Sequence, residues 1–250
     1  MKSKIIPAFL LLVSAIFFTG NLNAQVKKTT AKKKVVAVKK ITPSKKNVAV
    51  NKTIPIRIKI VTDSGTMVVR LYDSTPLHRD NFVKLVKQGF YDSLLFHRVI
   101  PGFMIQGGDP ASKTAEAGAM LGNGGSDMSR IPAEFKKSLF HKKGVLAAAR
   151  DGNPEKASSA CQFYLVEGKI FTDDELNMME MQKGIKIPAA QRAAYKTIGG
   201  TPQLDQNYTV FGEIESGIGV IDKIANMPRD NNNRPFTDIR MHMEVMMPGK

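Results

Sequence analysis

The chain has no tryptophan, one cysteine and four histidines in 250 residues. A single cysteine, Cys161, cannot form an intramolecular disulfide, so the fold must rest on its apolar core. It stands just before the apolar run Phe163-Tyr164-Leu165-Val166 and reads as a small buried hydrophobe rather than a reactive thiol. His78, His97, His141 and His242 are scattered, and no metal site is expected. Acidic residues are missing altogether from residues 1–52, which hold twelve of the 37 basic residues, all of them lysine. Residues 53–250 carry all 22 acids against the remaining 25 bases. The net charge of +15 therefore belongs to the N-terminal stretch, and the rest of the chain is close to balanced.

That stretch has two parts. Lys2 and Lys4 precede an apolar run from Ile5 to Phe18, and Asn21-Leu22-Asn23-Ala24 offers a small residue at a cleavage position. The run is shorter than the roughly 20 residues of a membrane span. Residues 1–24 are expected to be a cleaved signal peptide, with an uncleaved anchor as the alternative, and the product to be exported, periplasmic or extracellular. Residues 25–53 are rich in Lys, Val, Ala and Thr, with no aromatic residue and no sustained period. Such a segment buries too little apolar area to offset its ordering entropy and reads as a disordered basic linker. It has two open roles: attraction to an anionic envelope surface, or a solvated spacer. A nucleic-acid partner is not expected, given export and the absence of interleaved aromatics.

From Ile54 the pattern becomes that of a folded domain, 54–250. Ile56 to Ile60 alternates apolar and charged residues, Thr62 to Gly65 is a turn, and Met67 to Tyr72 returns, predicting a hairpin. Asp73-Ser74-Thr75-Pro76 predicts a helix start with a Ser or Thr cap; Phe82, Leu85 and Val86 give one apolar face, and Gly89 ends it. Gly144–Arg150, Gln162–Val166, Tyr208–Ile214 and Ile239–Met246 have the length and composition of strands. Ala111 to Pro132 is a glycine-rich loop, and Val220, Ile221 and Ile224 mark a second helix. Many short strands with two core helices suit a barrel with capped ends.

The densest information lies in Phe96-His97-Arg98-Val99-Ile100-Pro101-Gly102-Phe103-Met104-Ile105-Gln106-Gly107-Gly108-Asp109-Pro110. Two short strands flank a Pro-Gly turn, and alternation brings Arg98, Phe103 and Gln106 around one shallow pocket while His97 points to the opposite face. The pocket offers a guanidinium, an aromatic wall and an amide, but no nucleophile. This segment resembles the signature of the cyclophilin-type peptidyl-prolyl isomerases. Three further blocks are similar to that family in the same order: Gly144 to Arg150, Ser158 to Tyr164, and Leu204 to Gly212.

The resemblance implies a mainly β fold, a closed eight-stranded antiparallel barrel capped by two helices, and catalysis of rotation about Xaa–Pro bonds. It puts Arg98 in the place of the catalytic arginine, with Gln106 beside it. Phe103, Met104 and Tyr164 match the proline pocket, with Leu204 next to them; Gln162 matches a polar groove residue. Ala149 and Arg150 match the strand whose backbone pairs with substrate, and Tyr208 a position often held by His. The partners implied are proline-containing polypeptides. No cofactor is needed, and the chain is expected to be a monomer.

The chain departs from the family in three places. Tyr164 adds a hydroxyl where Phe is usual, and Gln203 stands where well-known members carry Trp. Residues 169–200 are a helical insertion. There Thr172-Asp173-Asp174-Glu175 predicts a capped helix start, Leu176, Met179, Met181, Ile185 and Ile187 are the expected apolar contacts, and Pro188 opens a second helix. The three acids lack the ligand spacing of a calcium loop.

Overall fold

The computed structural model describes residues 54–247; the expected signal peptide and basic linker lie outside them. The first hairpin joins β1 (Arg57–Thr62) to β2 (Gly65–Leu71). In β1 the sequence alternation becomes burial alternation: Ile58 and Ile60 are fully enclosed, whereas Lys59 faces solvent and pairs across the sheet with Glu244 at 2.8 Å. Helix α1 (Pro76–Lys87) follows. Thr75 sits at its N-terminus, but the hydroxyl bonds back to the Tyr72 carbonyl. The cap comes instead from Glu134, a loop residue whose carboxylate accepts from the backbone N–H groups of Leu77 and His78. Glu134 also meets His78 Nδ1 at 2.7 Å, and His78 Nε2 lies 3.0 Å from the buried Ser158 hydroxyl.

The remaining strands are β3 (Phe96–Ile100), β4 (Met104–Gly107), β5 (Val145–Ala148), β6 (Phe163–Val166), β7 (Val210–Ser216) and β8 (Met241–Met246). Helices α2 (Asp173–Lys183) and α3 (Ala189–Thr197) lie between β6 and β7, and α4 (Gly219–Ala225) between β7 and β8. All strands pair antiparallel in the order β3-β4-β6-β5-β7-β2-β1-β8. The sheet curls into a half-barrel and corrects the expectation of a closed one. Among the described residues its end strands meet only at the start of β3 and the start of β8, rather than along a full ladder. There Leu95 bridges Arg240, and the Phe96 and Met241 amides donate to Ile239 and Leu94 at 2.9 Å each.

Strand alternation divides the apolar residues into two layers. Ile105, Leu146, Phe163 and Leu165 turn inward to join Ile58, Ile60, Phe82, Leu85, Ile221 and Ile224, so α1 and α4 cap the same core. Met104, Val145, Ala147, Tyr164 and Val166 turn outward and pack with Phe103, Leu204 and Tyr208. β5 and β6 are buried on both faces, which explains their unbroken apolar runs.

The helical segment builds a third cluster from Phe171, Leu176, Ile187 and Tyr195. Its start is as expected: Thr172 and Glu175 form a reciprocal capping box. Met181 and Ile185 do not join the cluster and are exposed. Aromatic residues outside the α2 period, Phe171 and Tyr195, fill the space instead.

Candidate active site

The outward layer supports a groove centred on β3, β4 and β6. Register places Arg98 opposite Gln106 and Gln106 opposite Tyr164, so three neighbouring strands present one side chain each. A register shift between Phe96 and Arg98 marks a bulge at His97. His97 turns inward and is 4% exposed, while Arg98 stays half-buried at the surface. Neither ring nitrogen of His97 closes a hydrogen bond, and burial lowers its pKa to about 4.

Arg98, Phe103, Met104, Gln106, Ala149, Arg150, Tyr164, Leu204 and Tyr208 line a pocket of about 100 Å³. Gln162 lines a larger adjoining pocket of about 330 Å³ that shares Gln106, Ala149 and Arg150. The ten residues singled out in the sequence therefore meet around two connected depressions.

The polar side is a chain of amides. Arg98 Nη1 donates to Gln106 Oε1 at 3.1 Å, and Gln106 Nε2 donates to Gln162 Oε1 at 3.0 Å. Gln162 Nε2 then donates to the carbonyls of Gly122 and Gly124, each at 2.9 Å. That glycine loop is itself fastened by the fully buried Asp109, whose carboxylate accepts from the amides of Ala111, Gly122 and Gly124. A side chain at Gly124 would start 1.9 Å from that carboxylate, and one at Gly108 would start 2.2 Å from the Cys161 carbonyl. The Gly-Gly-Asp-Pro sequence thus anchors the far end of the amide chain. Among the described residues no carboxylate forms an ion pair with Arg98. Burial lowers its pKa, but an arginine so placed remains charged at neutral pH.

The apolar side is set by the turn after β3 and by β6. The Phe103 carbonyl accepts from the amides of Glu167 and Gly168 at 3.1 and 3.0 Å, and the Glu167 carboxylate accepts from the Gly102 amide at 2.5 Å. Met104 is 1% exposed and forms the floor beneath the opening. Tyr164 is 4% exposed, with its hydroxyl 2.9 Å from His141 Nε2. Burial keeps that hydroxyl protonated far above neutral pH.

Ala149 and Arg150 form the rim that the two pockets share. The Ala149 amide already donates to the Gln162 carbonyl, and its own carbonyl accepts from Ser159, so its main chain is engaged within the protein. The Arg150 guanidinium donates to the carbonyls of Asn207 and Asp151 and lies 4.7 Å over the Tyr208 ring. It packs over Tyr208 at the rim that both pockets share.

The sequence reading missed His141, Asp205 and Tyr195 behind Tyr164, and Glu167 behind Phe103. They come from separate segments, and no local spacing marks them.

Residues 57–245 match the family described as cyclophilin type peptidyl-prolyl cis-trans isomerase/CLD. A Staphylococcus haemolyticus protein named "Putative peptidyl-prolyl cis-trans isomerase" is 35% identical over 185 residues, covering 74% of this chain and 87% of its own. A Streptococcus pyogenes protein, named as a bifunctional phosphatase and isomerase, is 34% identical over 186 residues. There the match covers 73% of this chain but only 37% of that longer protein. In fold, the chain is similar to a Cryptosporidium parvum cyclophilin-type isomerase, with a TM-score of 0.58 at 23% identity, covering 78% of this chain and 99% of that one. A second structure of that protein, obtained in the presence of the dipeptide Ala-Pro, gives 0.55 at 22% identity, covering 76% and 99%. With its family match spanning three-quarters of the sequence, the chain belongs to the cyclophilin-type peptidyl-prolyl cis-trans isomerases.

Proposed function

We propose that Arg98 is the catalytic residue of this isomerase and that Phe103, Met104 and Tyr164 hold the proline ring of the substrate. The observation that carries this is a half-buried guanidinium with no carboxylate partner among the described residues, oriented by Gln106 at the mouth of an apolar pocket. Amide resonance makes the Xaa–Pro bond partly double and its rotation slow. In the twisted state the proline nitrogen becomes pyramidal and gains a lone pair. A fixed N–H donor aimed at that nitrogen stabilises the twisted state more than either planar isomer. The apolar wall meanwhile keeps the ring still as the preceding carbonyl swings. The adjoining pocket shares Gln106, Ala149 and Arg150 with the first, so an extended peptide with proline in one passes over the other. Main-chain pairing at that edge falls to Arg150, since the Ala149 amide is already bonded.

The test is isomerase activity on a short Xaa–Pro peptide, wild type against Arg98→Ala. Loss of one such donor should lower kcat/KM by about 10²–10³ while the protein stays folded. Near-wild-type turnover by the folded variant would exclude Arg98 from catalysis.

We further propose that the clients are exported chains, which the charged and apolar pattern of residues 1–24 supports. Cell fractionation with N-terminal sequencing should find a mature chain beginning after Ala24 outside the cytoplasm. Intact protein confined to the cytoplasm would overturn the export assignment.

A further inference from the structure

Tyr164 is tied to the helical segment 169–200 by an unbroken chain of polar contacts, buried at both ends. The Tyr164 hydroxyl meets His141 Nε2 at 2.9 Å, and the two rings stack at 6.0 Å with an interplanar angle of 13°. His141 Nδ1 and its backbone amide both meet Asp205 Oδ1 at 2.8 Å. The other oxygen, Asp205 Oδ2, accepts from the Tyr195 hydroxyl on α3 at 2.5 Å. His141 and Tyr195 are exposed by no more than 1%.

For a neutral imidazole the hydrogen bonds allow one arrangement of protons along this chain. A carboxylate only accepts, so His141 carries its hydrogen on Nδ1 and Tyr195 donates its hydroxyl hydrogen. Nε2 is then the acceptor, and Tyr164 donates to it. Each donor is aimed by the next group, and the last group belongs to a helix far from the groove in sequence. Space is kept for it: a side chain at Gly200 would start 2.7 Å from the Tyr195 ring and 2.2 Å from the His141 carbonyl. The Thr201 amide also donates to that carbonyl at 2.8 Å, which fixes the exit of the helical segment against His141.

We propose that His141, Asp205 and Tyr195 are positioning residues for the proline pocket, and that the helical segment 169–200 sets the tilt of the Tyr164 ring through them. A Phe at 164 would be held by packing alone. The tyrosine here instead has its free end clamped, so the ring plane that meets the substrate depends on α3. The inference rests on Tyr164 being a wall of the substrate pocket.

Four proteins test it: wild type, Tyr195→Phe, Tyr164→Phe and the double variant. Each substitution removes one hydroxyl and keeps the ring. Turnover and equilibrium affinity for the same Xaa–Pro peptide are measured on each full mature chain. Tyr195→Phe should raise KM and weaken peptide affinity by about three- to tenfold, with kcat within about twofold, the scale of one net hydrogen bond. The double variant should be no worse than the worse single one, because one cut disconnects the chain. Wild-type affinity in folded Tyr195→Phe, an effect confined to kcat, or single effects that add in the double variant would each overturn the inference. A wild type that binds the peptide without turning it over would instead count against catalysis by Arg98, and the affinity comparison would remain decisive here.

Discussion

On one wall of the groove, Arg98, Gln106 and Gln162 are linked head to tail by amide hydrogen bonds that end on the carbonyls of Gly122 and Gly124. On the other, Phe103 and Tyr164 have few polar atoms of their own and are braced from behind, by Glu167 and by the His141–Asp205–Tyr195 chain. The polar wall is supported by a chain of amides that ends on the glycine loop; the apolar wall is supported by a chain that ends on the helical segment. The polar wall faces the atoms whose charge changes during rotation, so its loss should appear in kcat. The apolar wall holds the ring equally in both isomers, so its loss should appear in KM. Arg98→Ala, with its expected loss of about 10²–10³, is the extreme of the first class.

The strand that carries Arg98 also makes stability depend on pH on the acid side. His97 has a folded pKa of about 4, against an ordinary value near 6.5, because burial disfavours its charged form. Between those values the unfolded chain binds more protons than the folded one, so stability is full above about pH 6.5 and falls as the pH drops towards 4. The whole shift corresponds to about 3 kcal/mol. A denaturation series from pH 7.5 to 4 should show this loss, and His97→Leu should flatten it. An unchanged slope in the variant would mean that other groups carry the acid sensitivity. Arg98 stays protonated throughout, so catalysis by the still-folded fraction should not follow this curve.

Gln106 comes next. It accepts from Arg98 and donates to Gln162, so Gln106→Leu frees the guanidinium and leaves the Gln162 carbonyl oxygen unpaired. Hydrogen bonds to charged groups contribute about 1.5–3 kcal/mol, which translates to about a ten- to hundredfold drop in kcat with KM changed much less. A variant that loses affinity but keeps kcat would remove the distinction between the walls.

The two walls also differ in how well the sequence discloses them. Arg98, Phe103 and Gln106 fall within nine residues around a Pro-Gly turn, where strand alternation brings them together, and the family resemblance adds Met104. The braces do not share a segment: His141 reaches 64 positions to Asp205 and 23 to Tyr164. Side chains so far apart meet only because β6 and the helical segment fold onto the same place. The same limit explains the helical segment itself. Its capping box was legible because it is local, whereas Met181 and Ile185 lie exposed because Phe171 and Tyr195, outside the α2 period, supply its core. The cap of α1 was missed for the same reason, since Glu134 reaches it from a loop 56 positions away. Barrel closure was overestimated because strand number can be read from alternation, but the overlap of the end strands cannot.

The smallest expected effect lies behind Phe103. Glu167 is buried, and burial raises its pKa, while its hydrogen bond from the Gly102 amide favours the ionised form. Asn226 donates to its other oxygen at 3.3 Å. Glu167→Ala removes the acceptor that pins the Pro101-Gly102 turn and leaves the Gly102 amide without it. One net hydrogen bond of about 1 kcal/mol corresponds to about a fivefold rise in KM. Glu167→Gln keeps a carbonyl oxygen for that amide and should remain within about twofold of wild type. The Phe103 carbonyl would still be held by the amides of Glu167 and Gly168 in both variants, so the ring loosens but is not released. Steady-state kinetics on the pair, with kcat unchanged in each, would confirm that bracing of the apolar wall acts on substrate binding. A fall in kcat of the size expected for Gln106→Leu would show instead that the turn transmits its geometry to Arg98 across β3 and β4, and the two walls would then be one mechanical unit.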